Sequence, residues 1–271
     1  MNDLMQTLRV YLFIIAHAVL GFGVGNAQEI TTHLQAHAHN DYLHARPLLD
    51  ALDNGFCSVE ADIFLVDGAL LVAHSKAELA PERSLRTLYL DPLRARMRRN
   101  AGKIQPNVSN FTLLIDIKSD GESTYRALHL LLSEYRDVFS FVEDGKEHSG
   151  AVTAIVSGNR AIDLITAEKV RLVGIDGRLS DLESELESHL LPLISDNWNL
   201  HFKWRGVGEV PASDRDKLAS IIERVHKKNR RVRFWATPDT ANGWSVFKGA
   251  GVDLINTDNL KGLSDFLNTK K

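Results

Sequence analysis

Eight short runs of strand character recur along this chain, at 32–39, 57–63, 111–118, 151–157, 170–176, 191–195, 230–237 and 251–257. Helix-like amphipathic stretches lie between many of them, at 47–54, 123–138, 159–168, 179–189, 213–229 and 241–249. Strand and helix in strict alternation point to a parallel sheet with crossover helices. Eight such units favour a closed α/β barrel over an open, doubly wound sheet. No Gly-x-Gly-x-x-Gly follows the first strand, which removes the sequence signature of a dinucleotide fold. Pro47 suits a first helical turn and Gly55 a left-handed stop. No Pro/Ser/Gly-rich linker divides the chain, so one barrel is expected rather than two domains.

The first 27 residues stand apart. Residues 10–24 contain no Asp, Glu, Lys or Arg, and small residues at Gly25 and Ala27 follow. The apolar run is shorter than the ~20 residues of a membrane span. It predicts a secretory signal peptide over 1–27, cleaved near Ala27, with an uncleaved anchor as the alternative. The mature protein, 28–271, would then be exported, either periplasmic or secreted. Its length matches the ~250 residues usual for a (β/α)8 barrel of the TIM type. A single cysteine, Cys57, excludes an intramolecular disulfide and a cysteine-rich zinc site. The net charge of −3 argues against a nucleic-acid partner. The basic run 94–103 reads as a solvated helix face, with transient contact to a membrane surface as the sharper reading. Nothing in the sequence sets the oligomeric state.

In a barrel of this type the reactive groups sit at the C-terminal ends of the strands. The first strand ends His37-Ala-His39-Asn40-Asp41. Side chains alternate along a strand, so His37 and His39 share one face. The second strand puts Cys57, Val59, Ala61 and Ile63 on an apolar face, and Ser58, Glu60 and Asp62 on the opposite, inward one. The third puts Leu113, Ile115 and Ile117 outward, Asp116 and Lys118 inward. Carboxylates gathered inside a barrel are costly unless neutralised. A divalent cation does this most simply; a buried ion pair or a shared proton is the other solution. Three carboxylates from neighbouring strands make a hard, all-oxygen site suited to Mg²⁺ or Ca²⁺, with Lys118 offsetting the remaining charge. His74 follows Asp67-Gly68 and an apolar run, close in sequence to the same cluster.

The order His39-Asn40-Asp41, then Gly55-Phe-Cys-Ser-Val-Glu60-Ala-Asp62, then Asp67-Gly68…His74, then Asp116-Ile-Lys118 resembles the glycerophosphodiester phosphodiesterase and phosphatidylinositol phospholipase C-like superfamily. Arg233-Phe-Trp235-Ala-Thr and the stretch from Gly251 to Asp258 resemble its seventh and eighth strands. The resemblance covers nearly all of 33–260. It implies a phosphoric diester hydrolase, or a lyase forming a cyclic phosphate, that acts on a glycerophosphodiester or a phospholipid headgroup around one divalent cation. It gives His39 and His74 the roles of general acid and base, and Glu60, Asp62 and Asp116 those of metal ligands. Lys118 becomes a phosphate contact and Trp235 a pocket wall. Asn40 stands where an arginine is usual, leaving it as a substrate contact or a turn cap. Asp116 replaces the usual glutamate, as in the sphingomyelinase D branch.

Other residues carry blander expectations. Arg178 reads as a surface arginine, Trp198 and Trp204 as core, and Asp258 as a cap for the last helix. Two further readings belong to other classes. His37-x-His39 would suit a zinc amidohydrolase-type barrel if His189 or His201 joined it. A non-catalytic binding barrel that has kept the pocket is the third.

Overall fold

The computed structural model describes residues 30–269; the expected signal peptide lies outside the described residues. Among the described residues twelve strands form: β1 (His33–Ala38), β2 (Phe56–Val66), β3 (Ala69–Val72), β4 (Phe111–Ile117), β5 (Phe141–Glu143), β6 (Lys146–His148), β7 (Val152–Gly158), β8 (Val170–Arg171), β9 (Val173–Gly177), β10 (Leu193–Asn197), β11 (Arg231–Trp235) and β12 (Ile255–Thr257). The helices are α1 (Leu49–Asp53), α2 (Asp91–Arg99), α3 (Gly121–Ser133), α4 (Ile162–Ala167), α5 (Trp198–His201), α6 (Ala212–Lys227), α7 (Ala241–Ala250) and α8 (Leu260–Asn268).

Eight parallel strands run in the order β11-β10-β9-β7-β4-β2-β1-β12. A bridge between Arg233 and Leu254 brings the two edges together, so the sheet nearly closes into a TIM-type (β/α)8 barrel. Each of the eight anticipated runs overlaps one barrel strand. The outward faces are apolar and buried beneath the helices: Val59, Ala61 and Ile63 of β2 and Leu113 of β4 are fully covered. Inside, Leu114, Ile155, Leu193 and Leu254 form a separate apolar cluster. They fill one layer, and the next inward residues toward the C-terminal mouth are Asp116, Ser157, Ser195 and Asn256. The apolar plug supports a polar floor.

Two elements depart from expectation. β2 runs on past the barrel rim, turns at Asp67-Gly68 and pairs antiparallel with β3. Both turn residues have positive φ, 47° and 81°, as a two-residue hairpin of this hand requires. The stretch 179–189 is not a helix; only a 3-10 turn, Leu179–Asp181, forms there. Its backbone carbonyls are taken by other partners. The Arg230 guanidinium donates to the carbonyls of Asp181, Ser184 and Leu186 at 3.2, 2.6 and 2.7 Å. Lys228 donates to Ser184 O at 3.1 Å. Helical spacing of leucines was present without helical hydrogen bonds to use it.

The basic run begins on α2. Arg94 and Arg98 pair with Asp137, and Arg96 donates to Ile104 O at 2.6 Å. Trp198 and Trp204 are buried as expected and pack with Phe234 and Phe247. No helix among the described residues is long and apolar enough to cross a membrane.

Candidate active site

Strand register assembles the carboxylates. Asp62 pairs across to Asp116, and Asp116 across to Ser157, so three neighbouring strands present polar groups at one height. By register His37 lies between Ser58 on one neighbouring strand and Asn256 on the other. Glu60, Asp62 and Asp116 each offer an oxygen within 4.8 Å of the others. They line a cavity of about 200 Å³ at the barrel mouth together with His39, Asn40, His74, Lys118, Arg178 and Trp235. Every residue predicted for the site is therefore brought to one place. A larger cavity of about 440 Å³ opens at the opposite, N-terminal end and holds no group of carboxylates.

Two cations face the three carboxylates. Lys118 Nζ lies 2.8 Å from Asp116 Oδ2 and 3.1 Å from Asp62 Oδ2. Arg233, buried at 3% exposure, donates to Glu60 Oε2 at 2.6 Å and to Asn256 Oδ1 at 2.8 Å. Burial alone would raise the Glu60 carboxyl; the Arg233 guanidinium outweighs it and holds the group well below the usual range. Asp62 goes the other way. Burial and the Glu60 charge push it up to about 6, against Lys118 and Tyr42. Burial also raises Asp116, despite its hydrogen bond from Lys118. One negative charge more than the cations neutralise is thus crowded into a poorly hydrated space.

The donor set fits a divalent cation. Asp62 Oδ1 and Asp116 Oδ1 are buried and have no hydrogen-bond partner among the described residues. Buried carboxylate oxygens ordinarily find one, and two vacant hard-oxygen donors beside a third carboxylate suit Mg²⁺ or Ca²⁺. The backbone makes room for this. Gly158 closes β7 at φ +67°, and a Cβ there would stand 1.9 Å from Asp116 Oδ1.

The histidines separate by depth. His37 is fully buried, with Nδ1 2.7 Å from Ser58 Oγ and Nε2 3.4 Å from Glu60 Oε2. Burial and Arg233 push it down to about 3, so the ring is neutral and braces Glu60 from below. His39 stands at the mouth, its Nδ1 2.8 Å from Asp258 Oδ1. An ionised carboxylate only accepts, so Nδ1 carries a proton, and in the neutral ring the lone pair is then on Nε2. Burial would raise Asp258, but the His39 contact outweighs it and lowers the group. Asn40, in the left-handed region at φ 48°, donates to Asp258 Oδ1 at 3.2 Å. Asp258 is therefore a partner of His39 and not a helix cap; the side-chain cap of α8 is Asn259. His74 follows β3 and is largely exposed, its Nδ1 3.0 Å from the Tyr42 hydroxyl.

Arg178 is also corrected. It lines the pocket, with Nη1 2.9 Å from the fully buried Asp176 and its guanidinium 5.0 Å from the Trp235 ring centre. The zinc reading fails on geometry. The ring of His37 is committed to Ser58 and Glu60, His201 pairs with Asp196, and among the described residues the carboxylate trio is the sole cluster with metal-ligand geometry. Sequence reasoning missed Tyr42, Arg233 and the role of Asp258. Arg233 shares the inward parity of Trp235, and the surplus of carboxylates called for a second cation. Tyr42 lies off any strand, on a 3-10 turn, so no periodicity marks it.

Comparison with known proteins extends this picture. The sequence profile of the AIM6-like phosphodiesterase domain matches residues 26–174, and that of the glycerophosphoryl diester phosphodiesterase family matches 231–261. "Altered inheritance of mitochondria protein 6" of Eremothecium gossypii is 29% identical, covering 86% of this chain and 69% of the relative. The Saccharomyces cerevisiae protein of the same name is 27% identical over 84% of this chain and 69% of the relative. Two solved structures share the fold. A calcium-dependent phosphoinositol-specific phospholipase C from Pseudomonas has a TM-score of 0.54 at 12% identity, covering 87% of this chain and 93% of its own. A glycerophosphodiester phosphodiesterase from Agrobacterium tumefaciens has 0.53 at 14%, covering 88% and 100%. The expected export is overturned by the fungal relatives, which are named for mitochondrial inheritance and not as secreted proteins. With the first profile spanning more than half of its length, the chain belongs to the AIM6-like phosphodiesterase family.

Proposed function

We propose that this barrel is a divalent-cation-dependent phosphodiesterase acting on a small phosphodiester or on a phospholipid headgroup. One observation carries the reading: two unpartnered, buried carboxylate oxygens, on Asp62 and Asp116, lie beneath a mouth flanked by two histidines. Glu60, Asp62 and Asp116 would hold Mg²⁺ or Ca²⁺. Such a cation supplies Lewis-acid polarisation of the phosphoryl oxygens and charge stabilisation in the transition state. The cluster of three carboxylates, Lys118 and Arg233 is one charge negative. A divalent cation turns it one positive, which matches a phosphodiester monoanion.

The chain supplies the rest. Lys118 keeps one hydrogen-bond donor beyond the two used on the aspartates and can hold a phosphoryl oxygen. His39, held by Asp258, and His74 stand at the mouth as acid and base. One accepts a proton from the attacking oxygen; the other protonates the leaving alcohol. Trp235, with Arg178 stacked on it, gives the organic side of the substrate a flat wall. A cavity of about 200 Å³ admits the phosphodiester and its nearest carbons and leaves longer chains outside. An attacking hydroxyl on the substrate would give a cyclic phosphate; attacking water would give direct hydrolysis.

The test is a panel of glycerophosphodiesters, lysophospholipids and phosphoinositides, incubated with purified protein and followed by phosphorus NMR. A phosphomonoester or a cyclic phosphate is the expected product, absent after chelation. No turnover of any diester with saturating Mg²⁺ or Ca²⁺ would overturn the reading.

A further inference from the structure

Tyr42 is buried on the turn that follows β1, and its hydroxyl meets three groups. It lies 2.7 Å from Asp62 Oδ2, 2.8 Å from Asn40 Oδ1 and 3.0 Å from His74 Nδ1. The rings of Tyr42 and His74 are nearly parallel, 19° apart with centres at 6.4 Å. No other hydrogen bond to the His74 imidazole exists among the described residues. Its backbone N–H is fixed separately, by Glu78 Oε2 at 3.1 Å.

A phenol has one proton and two acceptor positions. Asp62 Oδ2, as an ionised carboxylate oxygen, only accepts. Asn40 Oδ1 only accepts too, because the amide group of that side chain is turned to Asp258. The phenol proton must go to one of these two oxygens. The third neighbour, His74, is then the one that has to donate, through Nδ1–H. In the opposite arrangement the phenol donates to His74. Two oxygen acceptors, rather than one, would then crowd the phenol oxygen at 2.7 and 2.8 Å with no proton between them, which is the costlier arrangement of lone pairs.

We propose that Tyr42 is a positioning residue that holds His74 in its Nδ1–H form, so that Nε2 carries the lone pair toward the mouth. The proposal rests on the acid/base reading of His74 given above. It links that histidine to Asp62 through a single phenol, so the exposed side chain is oriented from the carboxylate cluster. The hydrogen bond on one imidazole nitrogen sets the tautomer of the other. His39 is fixed the same way by Asp258, and both proton-transfer nitrogens are then of the Nε2 type.

Long-range proton–nitrogen NMR on the native protein, above the pH at which histidine protonates, reads this directly, with the His74 signals assigned by His74→Asn. A pyrrole-type Nδ1 and a pyridine-type Nε2 at His74 are expected. A protonated Nε2 in the native protein overturns the proposal without any variant at Tyr42. Tyr42→Phe keeps the ring and removes the oxygen. It should release His74 to a mixture of tautomers, leave the His39 signals in place, and lower kcat roughly 10–100-fold with KM within about twofold, the range for losing such a supporting partner. An unchanged His74 tautomer in Tyr42→Phe overturns the proposal. A released tautomer with full turnover supports the positioning and overturns the acid/base role of His74 instead.

Discussion

Arg233→Met is the most informative single change outside the cation site itself. Arg233 and Glu60 form a buried pair at 2.6 Å, with side chains 3% and 7% exposed. Methionine keeps most of the volume and removes the charge. Glu60 is then left beneath Asp62 with only His37 against it, and His37 is a neutral ring. Breaking one partner out of a buried pair costs roughly 3–5 kcal/mol, because the other charge stays desolvated and unpaired. At about 2–4 °C per kcal/mol for a domain of this size, the midpoint should fall by roughly 6–20 °C. The assay is urea and thermal unfolding after chelation, then repeated with Mg²⁺ or Ca²⁺. A bound cation restores a positive partner to Glu60, so the gap between wild type and variant should narrow on addition. Ligand binding to the folded state alone adds ~2.7 kcal/mol at a hundred times Kd, and the more negative variant site should gain more. A chelated variant within about 1 kcal/mol of wild type would refute the pairing argument. A gap that stays constant as cation is added would remove Glu60 from the cation site.

Gly158→Ala should place a methyl group against Asp116 Oδ1, 1.9 Å away on ideal geometry, at φ +67°. Backbone strain of ~1–3 kcal/mol and at least a roughly tenfold loss of Ca²⁺ affinity by calorimetry are expected; unchanged affinity would sink the idea. His39→Asn should lower kcat at least roughly a hundredfold, whereas His37→Asn should act mainly on unfolding midpoints. The opposite pattern in folded variants would invert the roles of the two residues. Asp41 is fully buried and pushed up to about 7 by burial, against hydrogen bonds from Leu48 N and Tyr89 OH. The folded state then favours the protonated acid. Its contribution is whole below the unfolded value of ~3.9 and declines as pH rises toward about 7. Asp41→Asn should gain on wild type over that window in urea titrations at several pH values, and a flat difference would refute the assignment.

Much of the site was legible because barrels convert sequence parity into position. Glu60 and Asp62 face inward because Val59, Ala61 and Ile63 face out, and the register then sets Asp116 beside Asp62. His39 and His37 fall into shallow and deep layers for the same reason. Arg233, on an inward strand position, apart, what escaped lies where parity fails. Tyr42 and Asp258 belong to loops, and their partners, His74 and His39, are 32 and 219 residues away. The stretch 179–189 carried helical leucine spacing, yet Arg230 took the carbonyls that a helix would have needed. The hairpin to β3 was signalled by Asp67-Gly68 between apolar runs, a local cue that the strand–helix alternation obscured.

If Glu60, Asp62 and Asp116 hold one catalytic cation at the mouth of this barrel, binding and turnover rise together. Chelated protein should be titrated with Mg²⁺ and with Ca²⁺ while phosphodiester turnover is followed. No turnover is expected before addition, with saturation at about one ion per chain and loss of both binding and turnover in Asp62→Asn and Asp116→Asn. Full turnover in chelated protein, or saturable activation that survives in both variants, would contradict a catalytic cation at this site.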